Sequence, residues 1–349
     1  MLRLGVVGCG AIHGTHCEAA QRLEGARLAV VYDTDHARAC LASERFGVPA
    51  ARSWRALMEG VDAVILGVPS GYHSKVGIAA ARSGKHVLCE KPIDVSLSRA
   101  EALVKECRAR GVTLSVVSQH RFCKAIQRAR QAAQSGELGQ LLQGDAAIKW
   151  YRTQAYYDQD AWRGTRKLDG GCLMNQGIHY VDMIQWIMGG VQSVQAVTRT
   201  IAHRMEMEDQ ALALLEYRNG AIGVLQATTC AYPGLAERLE VHGRHGSIVI
   251  EGDRVKLWEV DPAAEDGTPY GRGVMQQPTP SVHVSTTAPD EDDPTAKWGE
   301  QHRLQMQDWV SAILESRESF LTGEMALEPL RVVLAVYRSA RLGGRRVQV

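Results

Sequence analysis

Residues 1–14, MLRLGVVGCGAIHG, run from an unbroken apolar stretch into a pair of closely spaced glycines. Leu2 to Val7 shows no polar alternation, as a parallel strand buried on both faces requires, and the glycines then open a helix. In that setting Gly8 permits a tight turn and Gly10 lets the backbone approach a pyrophosphate. The helix N-terminus near Ala11 and Ile12 offers N–H groups and positive potential to phosphates. His13 occupies the third glycine position of the dinucleotide fingerprint, so the motif is incomplete and its neighbours must carry the reading.

The next apolar run, Ala26 to Tyr32, ends in Asp33. An acidic group there accepts hydrogen bonds from the adenosine ribose and repels the extra phosphate of NADP, so the expected cofactor is NAD. The other reading of Asp33-Thr34-Asp35 is a helix-capping sequence. A helix from Ala37 to Phe46 is closed by Gly47 and Pro49. Strands at Val61 to Val68, His86 to Cys89 and Thr113 to Val117 then alternate with helices at His73 to Ser83 and Leu97 to Arg110. This βαβ alternation predicts an α/β fold, with an N-terminal Rossmann domain over residues 1–122 built on a doubly wound parallel sheet.

Beyond Arg121 the pattern changes to a helix from Lys124 to Ser135, a strand from Gln143 to Arg152, a polar aromatic loop and a helix from Cys172 to Met188. Strands succeed it at Val191 to Ile201, Ala211 to Tyr217, Ala221 to Ala231, Arg238 to His242, Ser247 to Glu251 and Val255 to Glu259. Asn219-Gly220 predicts a tight primed hairpin turn, which needs positive φ at both central positions. Residues 123–349 are therefore expected to form an α+β domain with an open, largely antiparallel sheet, interrupted by a surface excursion from Asp261 to Trp298. Helices from His302 to Glu315 and Glu328 to Leu342 close the chain.

The chain of 349 residues is long enough for two cores, and two domains make a cleft. Net charge is +1 with no dominant cluster of Lys and Arg, which argues against nucleic acid as a partner. There is no apolar run long enough to span a bilayer and no leader pattern at Met1, so a cytoplasmic protein is expected. The eight cysteines lack C-x-x-C pairing and read as reduced thiols, with no structural metal expected.

Glu90-Lys91-Pro92 comes after the fourth strand, at the carboxyl end of the sheet where doubly wound folds bind ligands. Proline restricts the backbone of Lys91 to extended or turn conformations, allows a cis bond, and so fixes where the amine points. Asn175, His179 and Asp182 recur at i, i+4 and i+7 and are expected on one face of the helix after Gly170-Gly171. An imidazole there accepts a hydroxyl proton near neutral pH, or is a buried ring satisfied by Asp182 or by backbone.

Taken together, GCGAIHG with His16, Asp33, VPSGYH at 68–73, GKHVLCEKP at 84–92, QHRF at 119–122 and GGCLMNQGIHYVD at 170–182 resemble the Gfo/Idh/MocA family of oxidoreductases, and the closing SARLGGRRV at 339–347 extends the match. The resemblance implies a catalytic role for Lys91 and cofactor contacts at Pro69, His73 and Glu90. It also implies an open sheet that serves oligomerisation, giving a homodimer or homotetramer. Many members carry aspartate where this chain has Asn175, and asparagine cannot act as a base. The MNQGIH form, with YYD and WRGT upstream, is most similar to the branch typified by UDP-N-acetylglucosaminuronate 3-dehydrogenase.

The activity expected on these grounds is an NAD-dependent transfer of hydride from a secondary hydroxyl of a sugar or sugar nucleotide. His179 takes the proton and Lys91 holds the oxygen, or the two roles are exchanged. In the loop Tyr151 to Lys167, Tyr151, Tyr156, Tyr157 and Trp162 are expected to stack on the sugar, Tyr157 and Trp162 foremost, while the cations Arg152, Arg163, Arg166 and Lys167 suit an anionic group, Arg152 and Arg163 foremost; Asn175 adds a hydrogen bond. Competing readings are a dehydrogenase of a neutral inositol, hexose or aminoglycoside, and a cofactor-sensing regulatory protein without turnover.

Overall fold

The computed structural model describes residues 1–261 and 299–349. Of the expected surface excursion, all but Asp261 lies outside the described residues.

The first layer contains β1 (Leu2–Val7), α1 (His13–Ala20), β2 (Ala26–Tyr32), α2 (His36–Phe46), α3 (Trp54–Gly60), β3 (Ala63–Leu66), α4 (His73–Arg82), β4 (His86–Cys89), α5 (Leu97–Ala109) and β5 (Leu114–Val116). Its strands pair in parallel in the order β2-β1-β3-β4-β5. Leu4, Val6, Ile65, Leu66 and Leu88 are fully buried, which accounts for the unbroken apolar runs; each such side chain contributes about 1.5–3 kcal/mol. The chain order reverses between β1 and β3, so the turns after these strands border the crevice in which such sheets take ligands.

Local sequence explains the helix ends. Asp35 caps α2 by accepting from the Ala37 N–H at 3.0 Å, and Gly47 closes that helix in the left-handed region with φ 67°. Ser53 caps α3 by accepting from Ala56 N–H, a short helix that the hydrophobic pattern did not signal.

The second layer begins with α6 (Lys124–Ser135), β6 (Leu141–Lys149), the short α7 (Gln154–Asp158) and α8 (Ile178–Met188). It continues through β7 (Val191–Arg199), β8 (Gln210–Tyr217), β9 (Ile222–Thr228), β10 (Arg238–Gly243), β11 (Gly246–Glu251), β12 (Arg254–Val260), α9 (Glu300–Leu314), α10 (Leu327–Arg341) and β13 (Val347–Gln348). The sheet order is β12-β11-β10-β6-β9-β8-β7-β13, antiparallel except where β6 runs beside β9. Helices α8 and α10 cover one face. The other is open, with Leu212, Leu214 and Ile222 exposed by 49%, 57% and 63%. Helix α9 returns to the first layer, where Met306, Trp309 and Val310 join the core around α1 and β1.

Two local expectations are corrected. Residues Leu173–Gly177 form a π-helical turn ahead of α8, so the helix from Cys172 to Met188 is not regular and its side-chain phase shifts inside the motif. The β8–β9 hairpin forms, but only Gly220 of its turn has positive φ. The N–H of Tyr217 meets the carbonyl of Ala221 across Arg218-Asn219-Gly220, and the Asn219 side chain accepts from Ala221 N–H while donating to Met188. A three-residue loop with glycine in the left-handed position replaces the primed turn.

Candidate active site

The glycine turn lies between β1 and α1. Gly8 has φ +95°, and a Cβ there would stand 2.6 Å from the carbonyl oxygen of Gly67, so only glycine lets the turns after β1 and β3 lie together. At Gly10 a Cβ would meet nothing within 4 Å; it would project into the open crevice beside the start of α1, which no side chain caps. That open space, with the uncapped N-terminus next to Ala11 and Ile12, fits a pyrophosphate. His13 folds back on the Gly10 carbonyl. Asp33 accepts from Cys9 N–H at 2.7 Å and from Asp35 N–H at 2.8 Å, so its carboxylate braces the glycine turn, while the helix-capping role falls to Asp35.

Pro69 opens the short helical turn Ser70–Tyr72 beside that crevice. His73 is buried at the start of α4, with Nδ1 2.7 Å from the Pro92 carbonyl and Nε2 2.8 Å from the Val68 carbonyl. It holds the Val68-Pro69 loop against the Lys91-Pro92 segment, whose peptide bond is cis. Glu90 is buried behind Lys91. Burial alone would raise its carboxyl, but His16 at 2.9 Å, Lys91 and His302 outweigh that and hold it down at about 2.

Lys91 crosses from β4 to the second layer, where its Nζ donates to the Asn175 carbonyl at 2.9 Å. Burial lowers its pKa below the usual lysine value, against the pull of Glu90 and Asp169. Lys91 and His179 line one cleft with Val116, Ser118 and Asp182. The half-buried His179 ring is pushed well below the usual histidine value by desolvation, and further by Lys91, His120 and His302. It is therefore neutral at pH 7 and able to accept a proton.

Asp182 does not serve His179. It forms a two-pronged ion pair with Arg121, one arm at 2.8 Å, in which both side chains are at most 5% exposed and Arg121 also stacks over Trp186. The shifted phase of the π turn instead sends the Asn175 side chain to Asp169, a residue the sequence pattern did not single out. Asp169 is buried, accepts from Gly164 N–H at 2.7 Å, and is pushed up by desolvation against the opposing effects of Gly164, Asn175, Lys91 and Arg163. An Asp six residues before a motif asparagine carries no periodic signal, so nothing in the pattern marks it.

The loop after β6 divides its aromatic residues. Tyr157 is buried in α7 with its hydroxyl 2.8 Å from that of Thr229, so it holds the loop against the chain just after β9. Tyr156 takes the forward place, hydrogen-bonded to Gln176 and stacked under the Arg163 guanidinium, which also lies over Trp162. Arg163 is 8% exposed and 3.6 Å from Asp160, while Arg152 lies over Trp150 and Tyr156. The loop docks on the first layer at Gly71, whose N–H donates to Leu168 and whose missing Cβ leaves room for the Lys167 carbonyl.

His203, Asp209 and Cys230 bring potential metal-ligand atoms within 4.8 Å of one another. The Asp209 carboxylate is taken by the N–H groups of Ile201, Ala202 and His203, and the cluster clamps a loop. None of the eight cysteines forms a disulfide.

Comparison with known proteins agrees with this geometry. Residues 2–118 match the model described as an oxidoreductase family with an NAD-binding Rossmann fold, and residues 126–249 match the GFO/IDH/MocA C-terminal domain. The chain belongs to the GFO/IDH/MocA family. It is an NAD-binding oxidoreductase of that family. The WlbA dehydrogenase of Bordetella pertussis, solved in complex with NADH and UDP-GlcNAcA, is 31% identical over 100% of this chain and 97% of its own, with a TM-score of 0.87. The WlbA dehydrogenase of Chromobacterium violaceum, in complex with the same two ligands, is also 31% identical over 100% of this chain and 96% of its own, with a TM-score of 0.83. The myo-inositol 2-dehydrogenase of Thermotoga maritima is 29% identical over 72% of this chain and 76% of its own. Among the described residues, no helix is long and apolar enough to cross a membrane.

Proposed function

We propose that the protein oxidises a secondary hydroxyl of an anionic sugar or sugar nucleotide, with Lys91 and His179 as the groups at the reacting oxygen. The observation that carries this reading is that an amine from β4 and a neutral imidazole from α8 line one cleft at the carboxyl edge of the parallel sheet. NAD, when bound, supplies the acceptor for the hydride. Gly8, Gly10, Ala11, Ile12 and Asp33 would hold its adenosine and pyrophosphate half, with Pro69, His73 and Glu90 nearer the nicotinamide. His179 removes the hydroxyl proton as the C–H bond is lost with both electrons. Lys91 stabilises the negative charge that develops on oxygen.

Arg163 supports an anionic substrate. Its guanidinium is 8% exposed, lies 3.6 Å from Asp160, and acts electrostatically on both Lys91 and Asp169. Arg152, Tyr156 and Trp162 extend a cationic and aromatic wall along which a sugar nucleotide can lie. The similarity to the two WlbA dehydrogenases supports a nucleotide-linked uronic acid such as UDP-GlcNAcA. The test is NADH formation across a panel of nucleotide sugars, uronic acids, free hexoses and inositols. Turnover with UDP-GlcNAcA supports the reading, and turnover confined to neutral sugars or inositols overturns it.

The open sheet face supports a homodimer or homotetramer, since Leu212, Leu214 and Ile222 form an apolar patch that water solvates poorly. Sedimentation of the wild type against Leu214→Glu would show a shift to monomer. Eight cysteines without a disulfide support work in the reducing cytoplasm.

A further inference from the structure

A proton taken by His179 cannot stay there. Burial opposes a positive charge on that ring most, and Lys91, His120 and His302 add to that. The nearest ring is His120, from the segment Gln119–Phe122, whose centroid lies 5.1 Å away in an edge-to-face arrangement. Its Nδ1 stands 3.2 Å from the Asp253 carboxylate, in the turn between β11 and β12. A carboxylate only accepts, so Nδ1 carries the hydrogen, and neutral His120 is left with Nε2 as a proton acceptor. Asp253 is itself held by the amide of Gln301 at 3.0 Å. His120 and Asp253 are 21% and 22% exposed, whereas the Glu90–His16 pair on the other side of the lysine is sealed from solvent.

We propose that His120 and Asp253 form the route by which the proton accepted by His179 leaves the active site. The hydroxyl O–H bond breaks and a bond forms to a ring nitrogen of His179. The proton then passes, directly or through one water, to Nε2 of His120, while the hydrogen on Nδ1 moves to Asp253 and on to solvent. No electrons move in this transfer; the pair from the C–H bond has already gone to NAD. Tyr180 from α8, 6.0 Å from the His120 ring, and His302 from α9 are further titratable groups around His120, and the Tyr180 hydroxyl is itself engaged by the Glu237 carboxylate. His120 and Asp253 are thus positioning residues that act through His179.

This inference rests on His179 being the acceptor, and its test separates the two. His120→Gln and Asp253→Asn, with His179→Gln beside them, are assayed with UDP-GlcNAcA and NAD at several concentrations of imidazole buffer. If the route is right, His120→Gln lowers kcat by about ten-fold or more with both KM values nearly unchanged. The solvent deuterium isotope effect on kcat rises, and imidazole restores turnover. Asp253→Asn, at a surface turn where folding is less at stake, shows the same pattern in weaker form. Unchanged kcat in both variants, or a loss that imidazole leaves in place with no change in isotope effect, overturns the route. Full turnover by His179→Gln overturns the reading beneath it, as does a wild type inactive with this probe, and the route falls with either.

Discussion

The Nζ of Lys91 donates across 2.9 Å to the main-chain carbonyl of Asn175, so the amine that ends β4 is seated on the π-helical turn before α8. One hydrogen bond thereby joins the parallel sheet, where the cofactor crevice lies, to the helix that carries His179. In a π turn the backbone pairs at longer spacing than in an α-helix, and such turns recur where a functional group needs backbone that a regular helix would withhold. The seat fixes where the amine points.

Lys91→Met removes that amine while keeping the stem that fills the cleft. The expected result is a fall in kcat of about 10²–10³-fold, the range found when one preorganised donor to a developing oxyanion is lost. NAD affinity, titrated by quenching of protein fluorescence, stays within a few-fold, because the glycine turn and Asp33 are untouched. Near-normal turnover would remove Lys91 from the chemistry.

The pH profile is set by the shifted groups. His179 must be neutral to accept a proton, and burial, Lys91, His120 and His302 move its titration well below 6.5. The acid limb of kcat/KM therefore lies well below 6.5, while the alkaline limb, set by loss of charge on Lys91, lies below 10.5. An acid limb at or above 6.5 would show that another group is the base. Stability has its own acid dependence. His302 titrates at about 4 in the folded protein because it is buried, against 6.5 when unfolded. Its contribution is complete above 6.5 and is lost as pH falls toward 4, by up to about 1.4 kcal/mol per pH unit. Urea midpoints measured from pH 8 to pH 4 would be flatter in His302→Gln.

Asp33→Ser tests the cofactor preference. The carboxylate that would meet the ribose also accepts from Cys9 and Asp35 N–H groups, and serine can keep only part of this. The discrimination between NAD and NADP, expressed as a ratio of kcat/KM values, should fall by about ten-fold or more, with a modest loss of thermal stability. An unchanged ratio would place the ribose elsewhere.

The sequence made the parallel sheet legible because burial on both faces leaves no polar residue in β3 or in the buried part of β1, and because glycine at 8 answers a steric need. That Lys91 and His179 face one cleft was legible for a similar reason: proline fixes one and a polar position on an apolar helix marks the other. Periodicity failed where the helix itself changed pitch. The spacing of Asn175, His179 and Asp182 suggested one shared face, but the π turn directs Asn175 to Asp169, and Asp182 is drawn to Arg121. The burial of Tyr157 was not legible, because which side of a five-residue helix packs inward depends on Thr229, 72 positions away in the chain.

Asp182→Asn probes that second partnership. Breaking a buried ion pair on one side leaves the Arg121 guanidinium uncompensated, at a cost of about 3–5 kcal/mol. The urea midpoint should drop accordingly. The acid limb of kcat/KM should stay where it is, because Asp182 makes no hydrogen bond to His179 among the described residues. A moved acid limb without loss of stability would restore Asp182 as the partner of the imidazole.

Asn175 donates its side-chain amide to Asp169, whose carboxyl is raised by desolvation. Asn175→Asp would set two buried carboxylates against each other, and they cannot both ionise at such a separation without raising one pKa further. The single variant should lose about ten-fold or more in kcat at pH 8 and recover part of it as pH falls and one proton is shared. Asp169→Asn combined with Asn175→Asp restores one carboxylate and one amide in exchanged places. It should recover activity above either single variant if the pair acts as a unit beside Lys91. A double variant no better than the worse single would mean that Asp169 serves the loop through its bond to Gly164 N–H alone, and that Asn175 owes its place to its backbone carbonyl and not to its side chain.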